Sequence, residues 1–172
     1  MAVDGDRRAR YHLAEVNVAL LREPLDAPAT ADFVAALEPI NQLADHSPGF
    51  VWRLQTPEGD ATSIRAFDDD RILVNLSLWE SLETLWAFTY ASRHLDLLRR
   101  RREWFHRLAD AHLALWWVPA GHVPTVAEAV TRLELLRRRG PSPDAFTLRE
   151  PFPAPDAPAV ASSRVTAPTG AA

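Results

Sequence analysis

The stretch Ile72-Leu-Val-Asn-Leu-Ser-Leu-Trp79-Glu-Ser81-Leu-Glu-Thr-Leu-Trp86 decides the fold. Up to Trp79, the residues Ile72, Val74, Leu76 and Leu78 alternate with Leu73, Asn75, Ser77 and Trp79, the two-residue period of a strand. Ser81 then offers a hydroxyl to cap a helix, and Glu83 falls near the positive end of its dipole. Apolar and aromatic residues recur from Leu82 onward, so this helix is expected to run to about Leu108. A strand that feeds straight into a long helix is half of a familiar unit, and its counterparts flank it.

Upstream, Tyr11 to Leu21 alternates His12, Ala14, Val16, Val18 and Leu20 against Leu13, Glu15, Asn17 and Ala19, which predicts a first strand. Pro24 and Pro28 end it. A helix opens at Ala29 or Thr30, carries Phe33, Val34, Leu37, Ile40 and Leu43 on one side, and is expected to kink at Pro39. Ser47-Pro-Gly49 punctuates, and Phe50 to Gln55 reads as a second strand with Phe50, Trp52 and Leu54 on one face. Thr56 to Asp70 is polar and reads as a loop. Downstream, Ala111 to Val118 is the fourth strand. Thr125 and Glu128 form a capping pair for a further helix through Arg139, which Gly140-Pro141 stops, and Ala145 to Arg149 is expected to add a short edge strand.

The order βαββαβ predicts an α+β, ferredoxin-like domain over residues 10–150, with a flexible segment at 1–9 and a disordered Pro/Ala-rich tail at 151–172. Helices cover one face of such a sheet. The other face would expose more apolar surface than a monomer usually tolerates, so a homodimer is expected, two sheets closing into a dimeric α/β barrel.

Composition excludes several kinds of chemistry. The chain of 172 residues has no cysteine, and its 19 basic residues are all arginine. Thiolate nucleophiles, disulfides and cysteine-held clusters are therefore ruled out, and so is a lysine Schiff base. A net charge of −4 argues against nucleic acid as a partner. No apolar span approaches membrane length, and Met1 to Arg10 does not resemble a secretory signal, so a cytoplasmic location is expected.

The long helix carries the informative residues. His94 and Arg101 are seven apart on its expected inward stripe with Leu82, Trp86, Tyr90 and Leu108. An inward arginine needs a partner, and two readings follow. Either Arg101 pairs with Glu15 or another carboxylate and His94 is a satisfied core residue, or both line a cavity between helix and sheet. Asn17, Asn75 and Ser77, beside Trp79, supply polar companions on the strands, where a purely packing face would favour aliphatic residues. Of Trp116 and Trp117, which face opposite sides of the fourth strand, one is expected in the core and the other, taken to be Trp117, in the pocket or a dimer seam.

Other candidates rank lower. His106, Asp110 and His112 read as surface groups rather than a metal site, Asp68 to Asp70 as a solvated turn, Arg99 to Arg102 as a solvated helix face, and His122 as structural.

The run Asn75-Leu-Ser77-Leu-Trp79-Glu80-Ser81, followed by Leu85, Trp86, Phe88 and Ser92-Arg93-His94, resembles the strand-to-helix signature of the antibiotic biosynthesis monooxygenase superfamily of dimeric α/β barrels. The segments Ser47 to Gln55, Arg99 to Phe105 and Leu115 to Thr125 resemble the uncharacterised domain-of-unknown-function family 3291, over about residues 10–150. This resemblance implies a pocket between sheet and helices. Cofactor-independent members of the superfamily oxidise aromatic polyketides there, for which Asn75, Trp79 and Tyr90 are the matching residue types. Haem-handling members present a histidine and an asparagine, for which His94 and Asn17 are candidates, with Trp86 nearby. The sequence departs at Thr89, where a histidine is often found.

The resulting expectation is a small-molecule enzyme of secondary or accessory metabolism, a monooxygenase-like oxidoreductase acting without cofactor on a hydrophobic aromatic substrate. His94, Asn75 and Arg101 would be catalytic, and Asn17, Ser77, Trp79, Trp86, Tyr90 and Trp117 would bind substrate. The alternatives are a haem protein with His94 on iron and a non-catalytic small-molecule binder.

Overall fold

The computed structural model describes residues 10–157. The segment 1–9 and the part of the expected tail from 158 onward lie outside the described residues. Strands β1 (Tyr11–Leu20), β2 (Phe50–Arg53), β3 (Ile72–Trp79) and β4 (Leu113–Pro119) form one antiparallel sheet in the order β2-β3-β1-β4. Helix α1 (Ala31–Asp45) joins β1 to β2, helices α2 (Leu82–Ala91) and α3 (His94–Trp104) join β3 to β4, and α4 (Val126–Arg139) follows. This is the expected ferredoxin-like α+β order. No helix among the described residues is long and apolar enough to cross a membrane.

The alternation read in β1 and β3 separates two different sheet faces. On one, Ala14, Val16 and Val18 pack with Val74, Leu76 and Leu78 and with Ala114, Trp116 and Val118, all buried. Helix α4 covers them with Ala129, Leu133 and Leu136, and Ile64, Ala66 and Phe67 from the β2–β3 connection pack against the same cluster. The expectation of a two-subunit barrel rests on this face being bare. One chain buries it by itself, so its burial needs no second copy. The Trp116 indole N–H donates to Glu128 Oε1 at 3.0 Å, His122 Nε2 lies 2.8 Å from Glu128 Oε2, and the Thr125 hydroxyl accepts from the Glu128 amide. His122 thus helps moor the start of α4, the structural role expected of it.

Three local readings need correction. The register shifts between Phe50 and Trp52, so Phe50 stacks edge-on against Trp79 while Trp52 joins the opposite cluster; a bulge has split residues that strict alternation places together. The helix expected from Leu82 to about Leu108 is two helices. At the break, Ser92 has extended backbone, its hydroxyl donates to the Phe88 carbonyl and accepts from the His94 amide, and α3 restarts there. A side chain that satisfies both helix ends lowers the cost of interrupting the ladder. Past Trp104 the chain turns extended instead of continuing helical: Phe105 bridges to Leu21, and the His106 amide donates to the Leu20 carbonyl. Helix α1, by contrast, continues through Pro39.

After α4, Phe146 is fully buried and exchanges both backbone hydrogen bonds with Leu115, so the expected edge strand reduces to a bridge. Phe152, read as part of the tail, packs against Phe146, and its carbonyl accepts from the Trp117 indole at 2.8 Å.

Gly49 sets the angle at which β2 meets α2. Its φ is +75°, and a Cβ there would stand 2.3 Å from Thr84 Cγ2, inside the Ser81–Thr84 capping box. Gly49→Ala is expected to destabilise the protein by about 2–4 kcal/mol, combining left-handed strain with overpacking. Urea unfolding measures it, and an unchanged midpoint would refute this account of the α2 entrance.

Candidate functional site

The second sheet face is polar where the first is apolar. The register sets Asn17 opposite Asn75, Glu15 opposite Ser77 and Leu13 opposite Trp79. Their side chains join in one hydrogen-bonded chain. The Trp79 indole donates to Ser77 Oγ at 3.0 Å, and the Ser77 hydroxyl donates to Glu15 Oε2 at 2.8 Å. The Asn17 amide donates to Glu15 Oε1 at 2.7 Å, and Asn75 Nδ2 donates to Asn17 Oδ1 at 3.2 Å. The first link is fixed by chemistry, because an indole N–H can only donate. Glu15 therefore accepts from both sides.

Glu15 is only 8% exposed. Burial pushes its carboxyl above the usual range, and the hydrogen bonds from Asn17 and Ser77 partly oppose the shift.

Over this floor lies a cavity of about 370 Å³ between the sheet and helices α1, α2 and α3. Its walls are apolar: Phe33, Leu37 and Ile40 from α1, Leu85 and Phe88 from α2, and Leu97 and Leu98 from α3. Trp104 and Phe105 pack around Phe33 at centroid distances of 5.7 and 5.0 Å. Leu148, from the segment after α4, also lines the space. An apolar enclosure with a few convergent polar groups is the usual form of a small-molecule site.

His94 opens α3 and lies half-buried on this cavity, its ring tilted over Phe88 with centroids 4.8 Å apart. Burial lowers its pKa, and the Thr89 carbonyl, 3.5 Å from Nδ1, partly opposes that. With the Nδ1 proton turned to this carbonyl, Nε2 keeps a free lone pair. Thr89, the point of departure from the resembled pattern, thus contributes its main chain to His94, while its hydroxyl donates to the Leu85 carbonyl.

Of the residues expected at the site, Asn17, Asn75, Ser77, Trp79, Tyr90, His94 and Arg101 line the cavity, and two do not. Trp86 is 50% exposed and stacks on Tyr90 with centroids 4.4 Å apart, because α2 turns Leu85, Phe88 and Thr89 inward and leaves Trp86 on the outer side. Trp117 lies on the floor's side of the sheet but is capped by Phe152. Arg101 also departs from its expected inward burial: it lies on the exposed rim, and no ion pair with Glu15 forms. The break at Ser92 resets the stripe on which that inward position depends.

Two contributors escaped the reading of the residues. Glu15, expected above as a partner for Arg101, carries a signal of its own: a carboxylate alternating with apolar residues in a central strand. His112, read as a surface group, lines the cavity at the start of β4. Burial first, and the charge of Arg101 second, lower its pKa.

Haem does not fit these residues. Trp86, which that reading sets beside the macrocycle, is outside, and the floor would set a hydrogen-bonded carboxyl and two amides against an apolar ring system.

Fold and site define a ferredoxin-like α+β domain with a cavity between sheet and helices. Residues 12–162 match the family described as Domain of unknown function (DUF3291), and the chain belongs to that family. No curated protein matches it. Among solved structures it is similar to a protein of unknown function from Nitrosomonas europaea, at 13% identity over 68% of this chain and 98% of that one, TM-score 0.43. It is also similar to a mutant of SnoaB, a cofactor-independent oxygenase from Streptomyces nogalater, at 15% identity over 65% of this chain and 95% of that one, TM-score 0.43. A protein from Pseudomonas aeruginosa follows at 11% identity, 66% and 98% coverage, and TM-score 0.42.

The buried carboxyl makes stability depend on pH. A folded-state pKa above the unfolded value means that the native state holds its proton longer, so stability is lost as pH rises from the ordinary glutamate range through the raised pKa. Against Glu15→Gln, the wild type is expected to lose about 1.4 kcal/mol for each unit by which that pKa is raised. Urea midpoints of both proteins from about pH 4 to pH 8 measure the difference. A gap that does not change with pH would show Glu15 to titrate normally.

Proposed function

We propose that the protein is an enzyme that oxidises a hydrophobic, aromatic substrate bearing an acidic C–H, using dioxygen and no cofactor. The observation that carries this reading is a polar, hydrogen-bonded floor inside an apolar cavity, faced by a histidine held neutral. Such a place can take a proton from carbon and hold the anion that results.

In this scheme His94 Nε2 removes the substrate proton. One N–H of the Asn75 amide is committed to Asn17, which fixes the amide plane and leaves the second N–H for the enolate oxygen. The Glu15 network does not touch the reacting carbon; it holds Asn17, and through it Asn75, in one orientation. The carbanion adds to dioxygen, and the hydroperoxide anion recovers its proton from His94. Loss of the second C–H proton to His94 then breaks the O–O bond, and the departing hydroxide takes that proton as water. The balance is CH₂ plus O₂ to C=O plus H₂O.

Dioxygen uptake with 2-tetralone, an aromatic ketone with an acidic benzylic C–H, tests the reading. Uptake above the uncatalysed rate is expected, with His94→Ala lowering kcat by about 10²–10⁴-fold. Binding without uptake would replace this enzyme by a carrier, and absence of binding would remove the site altogether.

A further inference from the structure

The two ends of the cavity differ chemically. At its floor sits Glu15, already satisfied by two donors. Toward the end of α3, the rim carries Arg101, with His112 across from it at the start of β4. The cavity is lined by a second guanidinium, but that one is occupied: Arg53 donates to both oxygens of Asp45 and to the Gly59 carbonyl. Asp60, the other carboxylate on the lining, accepts from the Thr62 amide and hydroxyl.

Of its neighbours on the same helix, Arg99 and Arg100 are engaged, and Arg102 has no side-chain partner among the described residues but does not line the cavity. Arg99 pairs with Asp96, and Arg100 pairs with Asp32 and Glu103 while lying 4.8 Å over the Trp104 ring. Among the described residues, Arg101 makes neither an ion pair nor a side-chain hydrogen bond. It is a charged fork beside an apolar chamber with its donors uncommitted. His94 and His112, which also line the cavity, cannot neutralise it, because an imidazole is neutral or cationic and not an anion.

We propose that the substrate is an aromatic carboxylic acid, its carboxylate taken at the rim by the Arg101 guanidinium with His112 beside it, and its ring system laid across Leu97, Leu98 and Phe33. This deepens the cavity reading above and rests on it. Planar, two-pronged recognition of carboxylate is what a guanidinium does best, whereas at the other end the Glu15 carboxyl is an acceptor already engaged by two donors and Asn75 has a single uncommitted N–H. The opposed ends orient the ligand: its acid group stays at the rim while its reacting carbon reaches His94. Arg101 is thus assigned specificity, and the anion formed in the reaction is left to Asn75.

Calorimetric titration with 1-naphthoate and with its uncharged methyl ester tests the assignment. The wild type is expected to bind naphthoate about tenfold more tightly than the ester, a typical margin for a charge-assisted pair. Arg101→Gln should erase that margin by weakening naphthoate alone, Arg101→Lys should keep part of it, and Arg99→Gln, on the outer face, should leave it intact. Equal binding of acid and ester by the wild type would overturn the carboxylate assignment while leaving the cavity standing. Loss of the margin in Arg99→Gln would overturn it too, since general surface charge would then be the cause. If neither compound binds, the cavity reading fails with it.

Discussion

A glutamate sits in the middle of the central strand, where a carboxyl has almost no water. Left bare, such a group would cost several kcal/mol, and the sheet answers by placing a donor on either side of it. Asn17 comes from the same strand, two residues on, and Ser77 from the partner strand directly opposite. Each of these needs its own partner, which brings in Asn75 and Trp79. One buried carboxyl therefore organises the whole polar floor, and the floor distinguishes this face from a packed core.

The opposite face explains why the chain can maintain such a floor. Ala14, Val16 and Val18 of β1 and Val74, Leu76 and Leu78 of β3 pack with α4 and the β2–β3 connection on that side. That side supplies a dry, close-packed core. The cavity side carries aromatic and apolar walls on α1, α2 and α3 without filling the space between them. The two layers share one sheet, so the register that buries Val16 and Leu76 on one side also sets Asn17 and Ser77 on the other.

Much of this was legible beforehand. The alternation in β1 and β3, the Ser81 cap, the capping pair at Thr125 and Glu128 and the order of elements all follow from local periodicity and local hydrogen bonding. The residues on the polar face of the strands were legible for the same reason: once a strand is recognised, its faces are assigned by parity. What escaped was non-local. The break at Ser92 depends on a hydroxyl reaching both helix ends, the Phe50–Trp52 bulge depends on the neighbouring strand, and the capping of Trp117 depends on Phe152, distant in sequence.

By itself the sequence determined the βαββαβ plan, the two faces of the central strands, and the absence of thiol and amine chemistry. Only the tertiary structure decided that α4 and the β2–β3 connection close the apolar face within one chain, that Glu15 is buried while Arg101 is exposed, and that Arg101 stands at the rim with His112. The division has a physical cause. Strand and helix periods are properties of neighbouring residues, whereas desolvation is set by whatever the rest of the chain brings alongside.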